Sequence, residues 1–187
     1  MAQVPIVTGG SRGIGAATAM LAAEQGYNVA FSFLRDKGAA DTTLAKLRSR
    51  GVACLAEKVD VAVESEVIRF FERVDHTLGR LNVLVNNAGI VDRQARVEDM
   101  TEPRLSRMFA VNVVGSFLCA REAVRRMSTK RGGQGGTIVN VSSAAARLGA
   151  PGDYVDYAEA EVLGQPNRGV HGPLRASEPV VDLVDRL

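Results

Sequence analysis

A glycine-rich run near the start of the chain has the residue types that a phosphate-binding turn needs. It reads Thr-Gly-Gly-Ser-Arg-Gly-Ile-Gly over residues 8–15 and lies between an apolar segment and an amphipathic one. Glycine lets the backbone turn tightly and approach a pyrophosphate, and the N–H groups that open the following helix attract its negative charge. A turn shaped by glycine for conformational reasons alone is the alternative. The candidate cofactor-binding residues of this run are Gly9, Ser11, Arg12, Gly13, Ile14 and Gly15.

Five apolar segments of strand length alternate with segments of helical periodicity. The predicted strands are 4–7, 29–33, 52–59, 81–85 and 137–141. The last two are apolar nearly throughout, which is typical of parallel strands buried on both faces. This alternation predicts an α/β fold: a Rossmann-like, doubly wound parallel sheet with helices on both faces and right-handed crossovers. Pro5 fits such a sheet at the start of its strand.

Helical periodicity also predicts which helix faces are buried. A long helix is expected from Thr101, as its N-cap, to Met127. The basic residues at its end are expected to be solvated, and they are Arg121, Arg125, Arg126, Lys130 and Arg131. In the first helix, the residues expected to form the buried face are Ile14, Ala17, Thr18, Leu21, Ala22 and Gln25.

The C-terminal segment differs in composition from the rest of the chain. It contains Pro166, Pro173 and Pro179 together with Gly164, Gly169 and Gly172, and only residues 179–187 regain enough apolar character for one short helix or strand. We therefore divide the chain into a domain over 1–157 and a divergent tail over 158–187. The sheet is expected to be incomplete at its C-terminal edge. Exposed strand edges and apolar helix faces predict poor solubility or non-native association.

Further motifs follow the glycine run in a fixed order. Asp60-Val61 follows the third predicted strand, Asn-Asn-Ala-Gly spans 86–89 after the fourth, and Asn-Val-Val-Gly spans 112–115 in the long helix. The fifth strand ends in Ser142-Ser143, and Tyr157 lies fourteen residues beyond Ser143. With the Thr-Gly-x-x-x-Gly-x-Gly turn, this order resembles the short-chain dehydrogenase/reductase family over residues 1–157. The likeness is greatest to members that act on acyl carriers, sugars and steroids.

The resemblance implies a role for each motif. Asp60 would bond the adenine amino group and Val61 would pack on its ring, whereas the residue alone would suggest a helix cap. The turn after the fourth strand would shape the nicotinamide ribose site, with Asn87, Ala88 and Gly89 as cofactor-binding residues. The implied catalytic residues are Asn112 in a water-mediated proton relay, Ser143 as the hydrogen-bond partner of the substrate carbonyl, and Tyr157 as the general acid.

The sequence leaves alternatives for the general acid and for the form of the cofactor. Tyr154 shares the segment with Tyr157, and we prefer Tyr157 because Tyr-Ala follows the family pattern there. Arg12 and Arg35 could hold a 2′-phosphate, which favours NADP as the cofactor, with NAD as the alternative because Asp36 adjoins them. Two solvated arginines are the competing interpretation.

Glu161 departs from the family pattern, which has a lysine four residues after the tyrosine. A carboxylate disfavours the phenolate that an ammonium would stabilise, so turnover by this chain is expected to be low or absent. Three explanations are open: a truncated or frame-shifted C-terminus, a homologue that binds nucleotide without converting it, or another group in place of the lysine. The two candidate functions are an NAD(P)-dependent oxidoreductase and a non-catalytic nucleotide-binding or partner-binding protein.

Composition limits the remaining function classes. The formal net charge of +2 does not indicate a nucleic-acid surface, and no segment has the length of a membrane span. Cys54 and Cys119 are expected to be free thiols in the cytoplasm, and His76 and His171 lack the partners of a metal site. The expected partner is a small-molecule carbonyl or alcohol. The resemblance implies homo-oligomers in the family, whereas the oligomeric state of this chain stays open.

Overall fold

The computed structural model describes residues 3–148 and 154–164, and five parallel strands within them form one sheet. The order across the sheet is β3-β2-β1-β4-β5. The strands are β1 (Val4–Val7), β2 (Val29–Phe33), β3 (Cys54–Lys58), β4 (Leu81–Asn86) and β5 (Thr137–Asn140). Because β1 lies between β2 and β4, the order in which the strands are added to the sheet reverses beside it. A doubly wound sheet binds ligands at such a switch point.

Helices flank the sheet between the strands. They are α1 (Gly13–Glu24), α2 (Lys37–Arg48), α3 (Glu64–Thr77), α4 (Glu102–Phe109), α5 (Ser116–Met127), α6 (Ala145–Leu148) and α7 (Val155–Leu163). A π-helical turn over Ala110–Gly115 joins α4 to α5, and short 3-10 turns occupy Val97–Asp99 and Thr129–Arg131. The predicted α/β class, with a parallel sheet and helices on both faces, is confirmed.

Two apolar clusters hold the helices against the sheet. Phe70 and Phe71 of α3 and Ala123 of α5 belong to the cluster on one side. Ala19 of α1 and Leu47 of α2 belong to the cluster on the other. All five side chains are at most 1% exposed, so each helix layer buries its own stripe against the strands.

The central strand β1 is buried throughout and contains Pro5. Pro5 lies second in the strand, opposite Val83, rather than at its start as the sequence suggested. The register between β1 and β4 shifts between Val4 and Pro5, and the Val4 N–H donates to the Asn82 side chain at 2.7 Å. The shift in register therefore lets a central strand contain a proline, which has no N–H to donate to its neighbour.

The predicted buried face of α1 is wrong. Gly15, Ala19 and Ala23 are buried, whereas Ile14 and Leu21 are 47% and 62% exposed. The start of the helix lies so close to the neighbouring turns that a Cβ on Gly15 would lie 2.5 Å from the Asn87 Nδ2 atom. The start of the helix therefore has room only for a small residue against the sheet, and Ile14 and Leu21 point away from it.

The long helix and the basic cluster also differ from expectation. The helix is divided by the π turn, and Thr101 stands at its N-cap position without a side-chain capping bond. The arginines at its end are not simply solvated. Glu122, which is 3% exposed, accepts from Arg125 and Arg126 at 2.8 Å, and the Arg126 guanidinium also lies over the Phe71 ring at 5.3 Å.

At the C-terminal side, β5 is half-buried over Thr137–Val139, whereas the sequence predicted burial on both faces. Within the described part of the chain β5 is an edge strand, so one of its sides has no neighbouring strand. Of the tail predicted over 158–187, the structure describes residues 158–164, which continue α7 as far as Leu163. The short element expected over 179–187 lies outside the described residues.

Candidate cofactor and catalytic site

The glycine run forms a turn between β1 and α1 that suits close approach by a ligand. Gly9 and Gly13 adopt φ angles of +67° and +55°, which glycine adopts without strain. A Cβ on Gly13 would meet no atom within 4 Å, so the space over this part of the turn is open. The Ser11 carbonyl accepts from the Thr43 hydroxyl of α2 at 3.0 Å. The turn is therefore held by α2 at Ser11 and is open at Gly13, where there is space for a diphosphate.

Thr8 and Asn87 join this turn to the one that follows β4. The Thr8 hydroxyl accepts from the N–H groups of Asn87 and Ala88 at 3.0 and 2.9 Å. In return, the Asn87 amide donates to the carbonyls of Thr8 and Gly9 at 2.9 and 3.1 Å. Sequence reasoning missed Thr8, although its place as the first polar residue after an apolar strand was a usable signal.

Two buried asparagine side chains, Asn86 and Asn140, join the carboxyl ends of β4 and β5. The Asn86 amide donates to the Asn140 side-chain oxygen at 3.0 Å and to the Ser116 carbonyl at 3.2 Å. Asn86 and Asn140 are 5% and 4% exposed, so both depend on these internal partners. Asn140 was not among the predicted site residues, because it lies at the end of an otherwise apolar strand.

Asn112 lies in the π turn and holds the loop that follows Gly89. Its side-chain oxygen accepts from the Ile90 N–H and its amide donates to the Ile90 carbonyl, both at 2.9 Å. Its own carbonyl accepts from the Ser116 hydroxyl at 3.0 Å. Gly115, at the end of the same turn, leaves room for Val61, whose side chain a Cβ there would approach to 2.8 Å.

Ser143, Tyr157 and Glu161 meet at the carboxyl end of β5. The Ser143 N–H donates to Glu161 Oε2 at 3.0 Å, and the Ser143 hydroxyl accepts from the Ala145 N–H at 3.2 Å. Burial, followed by the negative charge of Glu161, raises the pKa of Tyr157, whereas the Ser143 hydroxyl lowers it. Burial also raises the pKa of Glu161. Burial and the neighbouring Glu161 carboxylate therefore disfavour a phenolate at Tyr157.

A cavity of about 470 Å³ brings these groups together. Among the predicted residues that line it are Ile14, Asn87, Ala88, Gly89, Asn112, Ser143 and Tyr157. Tyr154 does not line this cavity; it stands at the N-terminal end of α7, where it faces the Arg104 charge. The cavity thus joins Ser143 and Tyr157 to the turn after β4 and to Ile14 at the start of α1. The predicted cofactor residues that do not line it are Gly9, Ser11, Arg12, Gly13, Gly15, Arg35, Asp60 and Val61.

A buried ion pair fixes the helix that carries Tyr157. Arg104 of α4 donates to both carboxylate oxygens of Asp156 at 2.7 and 3.2 Å, and also to the Arg93 carbonyl at 2.8 Å. Asp156 in turn accepts from the Tyr157 N–H at 3.0 Å. Sequence reasoning missed this pair, because the two residues are 52 positions apart.

Asp60 and Val61 lie between β3 and α3. Asp60 does not occupy the N-cap position of α3, which is Val63; its side chain accepts from the Ala62 N–H at 3.0 Å and pairs with Arg107 at 2.9 Å. Val61 is 6% exposed. The helix-cap interpretation of Asp60 is therefore wrong.

The two arginines proposed for cofactor choice are both exposed. Arg12 is at the N-cap position of α1, and Arg35 follows β2. Neither forms an ion pair with a residue that the structure describes. Asp36 is instead engaged as the N-cap of α2, where it accepts from the Ala39 N–H at 2.8 Å.

The described ranges contain neither a metal-binding cluster nor a helix that could span a membrane. Over residues 3–148 and 154–164, no cluster of His, Cys, Asp or Glu could hold a metal ion. No described helix is both long enough and apolar enough to cross a membrane. Cys54 is a partly exposed free thiol, and Cys119 is a buried one.

Comparison with known proteins shows that the sequence matches one family. Residues 3–158 match the family model described as short chain dehydrogenase. The chain is 47% identical over 158 residues to the uncharacterized oxidoreductase YgfF of Escherichia coli, covering 84% of this chain and 64% of that protein. It is 36% identical over 166 residues to the 3-oxoacyl-[acyl-carrier-protein] reductase FabG of Staphylococcus aureus, covering 88% and 65%.

A solved structure agrees with these matches. A short-chain dehydrogenase/reductase of Serratia marcescens, solved as a double phenylalanine-to-leucine mutant, superposes with a TM-score of 0.78 at 33% identity, covering 86% of this chain and 63% of that one. The chain therefore spans less than two thirds of the length of each of these three relatives.

Proposed function

Because the chain belongs to the short-chain dehydrogenase family, we propose that it binds a nicotinamide dinucleotide across the turns after β1 and β4. Its reaction is a hydride transfer between that cofactor and a small carbonyl or alcohol. The observation that carries the proposal is the shared cavity, since Asn87 to Gly89 line it together with Ser143 and Tyr157. When bound, the nicotinamide supplies or accepts the hydride.

The remaining roles are assigned to residues in the cavity and in the turns around it. The open turn at Gly13 receives the diphosphate on backbone N–H groups, with Gly9, Ser11, Ile14 and Gly15 shaping it. Asn112 holds the loop at Ile90 in place through its two hydrogen bonds. Asp60 and Val61 are assigned to the adenine end, where Val61 offers an apolar surface.

Tyr157 is the proposed proton donor, with Ser143 orienting the substrate oxygen. In carbonyl reduction the phenol gives its proton to the oxygen while the carbon receives the hydride. The raised pKa of Tyr157 makes it a weaker acid than an unperturbed tyrosine, because it is buried and faces the Glu161 carboxylate. Turnover by this chain is therefore proposed to be slow.

NADP is the proposed form of the cofactor, with NAD as the alternative. Arg12 and Arg35 are exposed and have no acidic partner among the described residues, so both guanidinium groups are available to a 2′-phosphate. Asp36, the acidic residue that would favour a 2′-hydroxyl, is used by α2 as its cap. The free thiols Cys54 and Cys119 favour a reducing setting, which we propose is the cytoplasm.

Fluorescence titration of this chain with NADPH and with NADH tests the proposal. We expect saturable binding of both, tighter for NADPH, and a loss of that preference in Arg12→Ala and Arg35→Ala. Absence of binding of either cofactor at millimolar concentration by folded protein would refute it. For the proton donor, slow reduction of a panel of carbonyl compounds should vanish in Tyr157→Phe and persist in Tyr154→Phe, its matched control on the same segment.

A further inference from the structure

Glu161 is the charged side chain of the cavity. Every other described residue that lines it is neutral, and most of the polar ones are asparagine or serine. Arg147 of α6, which packs against α7, does not line the cavity. A ligand group that enters this end therefore meets one carboxylate and no lining cation.

The position of this carboxylate is fixed by its neighbours. Oε2 accepts from the Ser143 N–H at 3.0 Å, and the Ser142 hydroxyl and the Tyr157 phenol also interact with the carboxyl group. Of the other acidic residues on α7, Asp156 is already neutralised by Arg104, and Glu159 is exposed. Because Glu161 is half-buried and hydrogen-bonded rather than paired with a cation, its charge is only partly screened by water.

We propose that Glu161 makes this cavity selective for the oxidised, cationic nicotinamide over the reduced, neutral one. This inference rests on the proposed function. The two redox forms share every phosphate and both riboses, and they differ by one positive charge on the ring. The ratio of their affinities therefore reports the electrostatic environment of the ring, which here is set by a carboxylate.

Selectivity of this kind has a kinetic consequence. After carbonyl reduction the oxidised cofactor must leave, and a carboxylate that favours it slows that release. A cation at position 161 would act in the opposite sense, because it would favour the neutral ring. Glu161 is thus a specificity-determining residue for the redox form of the cofactor.

Calorimetric titration with NADP⁺ and NADPH on wild type, Glu161→Gln and Glu159→Gln tests this selectivity. The measured quantity is the Kd for NADPH divided by the Kd for NADP⁺. We expect this ratio to fall about tenfold in Glu161→Gln, equivalent to about 1.4 kcal/mol. Glu159→Gln removes an exposed carboxylate from the same helix and should leave the ratio within about twofold of wild type, because water and salt screen it. Glu161→Lys should lower the ratio further.

An unchanged ratio in folded Glu161→Gln would overturn the inference while leaving the proposed function intact. Failure of wild type to bind either form would instead refute the proposed function itself. Where circular dichroism shows that the variant does not fold, the wild-type ratio is followed as the pH is lowered from neutral through the raised pKa of Glu161. It should fall as Glu161 is protonated, and the 2′-phosphate cancels because both forms carry it. A flat ratio over that range would overturn the inference.

Discussion

Removal of the Asp156 carboxylate should destabilise the fold strongly, because the charged guanidinium of Arg104 would be left largely buried and without its partner. The side chains of Arg104 and Asp156 are 12% and 0% exposed. Breaking a buried pair costs about 3–5 kcal/mol. We expect the lower end, about 3 kcal/mol, since Arg104 is partly exposed and keeps its bond to the Arg93 carbonyl at 2.8 Å.

Urea unfolding and thermal melts of Asp156→Ala measure this loss. At about 2–4 °C per kcal/mol, the melting temperature should fall by about 6–12 °C. The matched control is Asp41→Ala, which breaks the Lys37–Asp41 pair on α2. That pair is 76% and 59% exposed, so its loss should cost about 0.5 kcal/mol or less.

Two further observations separate charge burial from simple loss of packing. The double variant Arg104→Leu/Asp156→Leu should be more stable than Asp156→Ala, because it leaves no unpaired charge. The Arg104 hydrogen bonds lower the pKa of Asp156, so its stabilising contribution is present above the ordinary aspartate pKa and is lost as the pH falls through the lowered one. A cost below about 1 kcal/mol for Asp156→Ala would refute this reasoning.

Three other variants and probes test separate parts of the structure. Gly15→Ala should abolish cofactor binding and destabilise the fold by about 1–3 kcal/mol, since its Cβ would lie 2.5 Å from Asn87 Nδ2; calorimetry and melts check this. Burial raises the pKa of Cys119 to about 12, so a thiol reagent near neutral pH should label Cys54 first and Cys119 only on unfolding, and equal rates would contradict the assigned burial. The raised pKa of Glu161 means that its contribution to stability is full below the ordinary glutamate pKa and declines as the pH rises through the raised one, so Glu161→Gln should be more stable than wild type at neutral pH and lose that gain in acid. Melts across pH test this, and a destabilised Glu161→Gln at every pH would count against it.

The strands and the glycine turn could be predicted because their signals are local. The apolar runs at 4–7 and 29–33 coincide with β1 and β2, and the glycine run forms the turn after β1, with positive φ angles at Gly9 and Gly13. Asn112, Ser143 and Tyr157 were identified from motif order, and they line one cavity. Their chemical roles stay predictions.

The features that sequence missed depend on contacts between distant segments. Thr8, Asn140 and Asp156 each have an ordinary local context, and their importance lies in partners from other elements. Ile14 misled the prediction for α1, because an apolar residue at a cavity mouth gives the same periodic signal as one in the core. Likewise, charged residues at a helix end do not reveal that Glu122 lies buried beneath the arginines.

The reciprocal bonds between Thr8 and Asn87 have a bearing on kinetics. They span the crevice between the two halves of the sheet, and each of them joins one part of the protein to another. The width of the crevice at this end is therefore set in advance, and no closing motion is needed there. Association should accordingly follow a single exponential whose rate constant rises linearly with cofactor concentration. It would be limited by encounter and orientation rather than by a slow rearrangement.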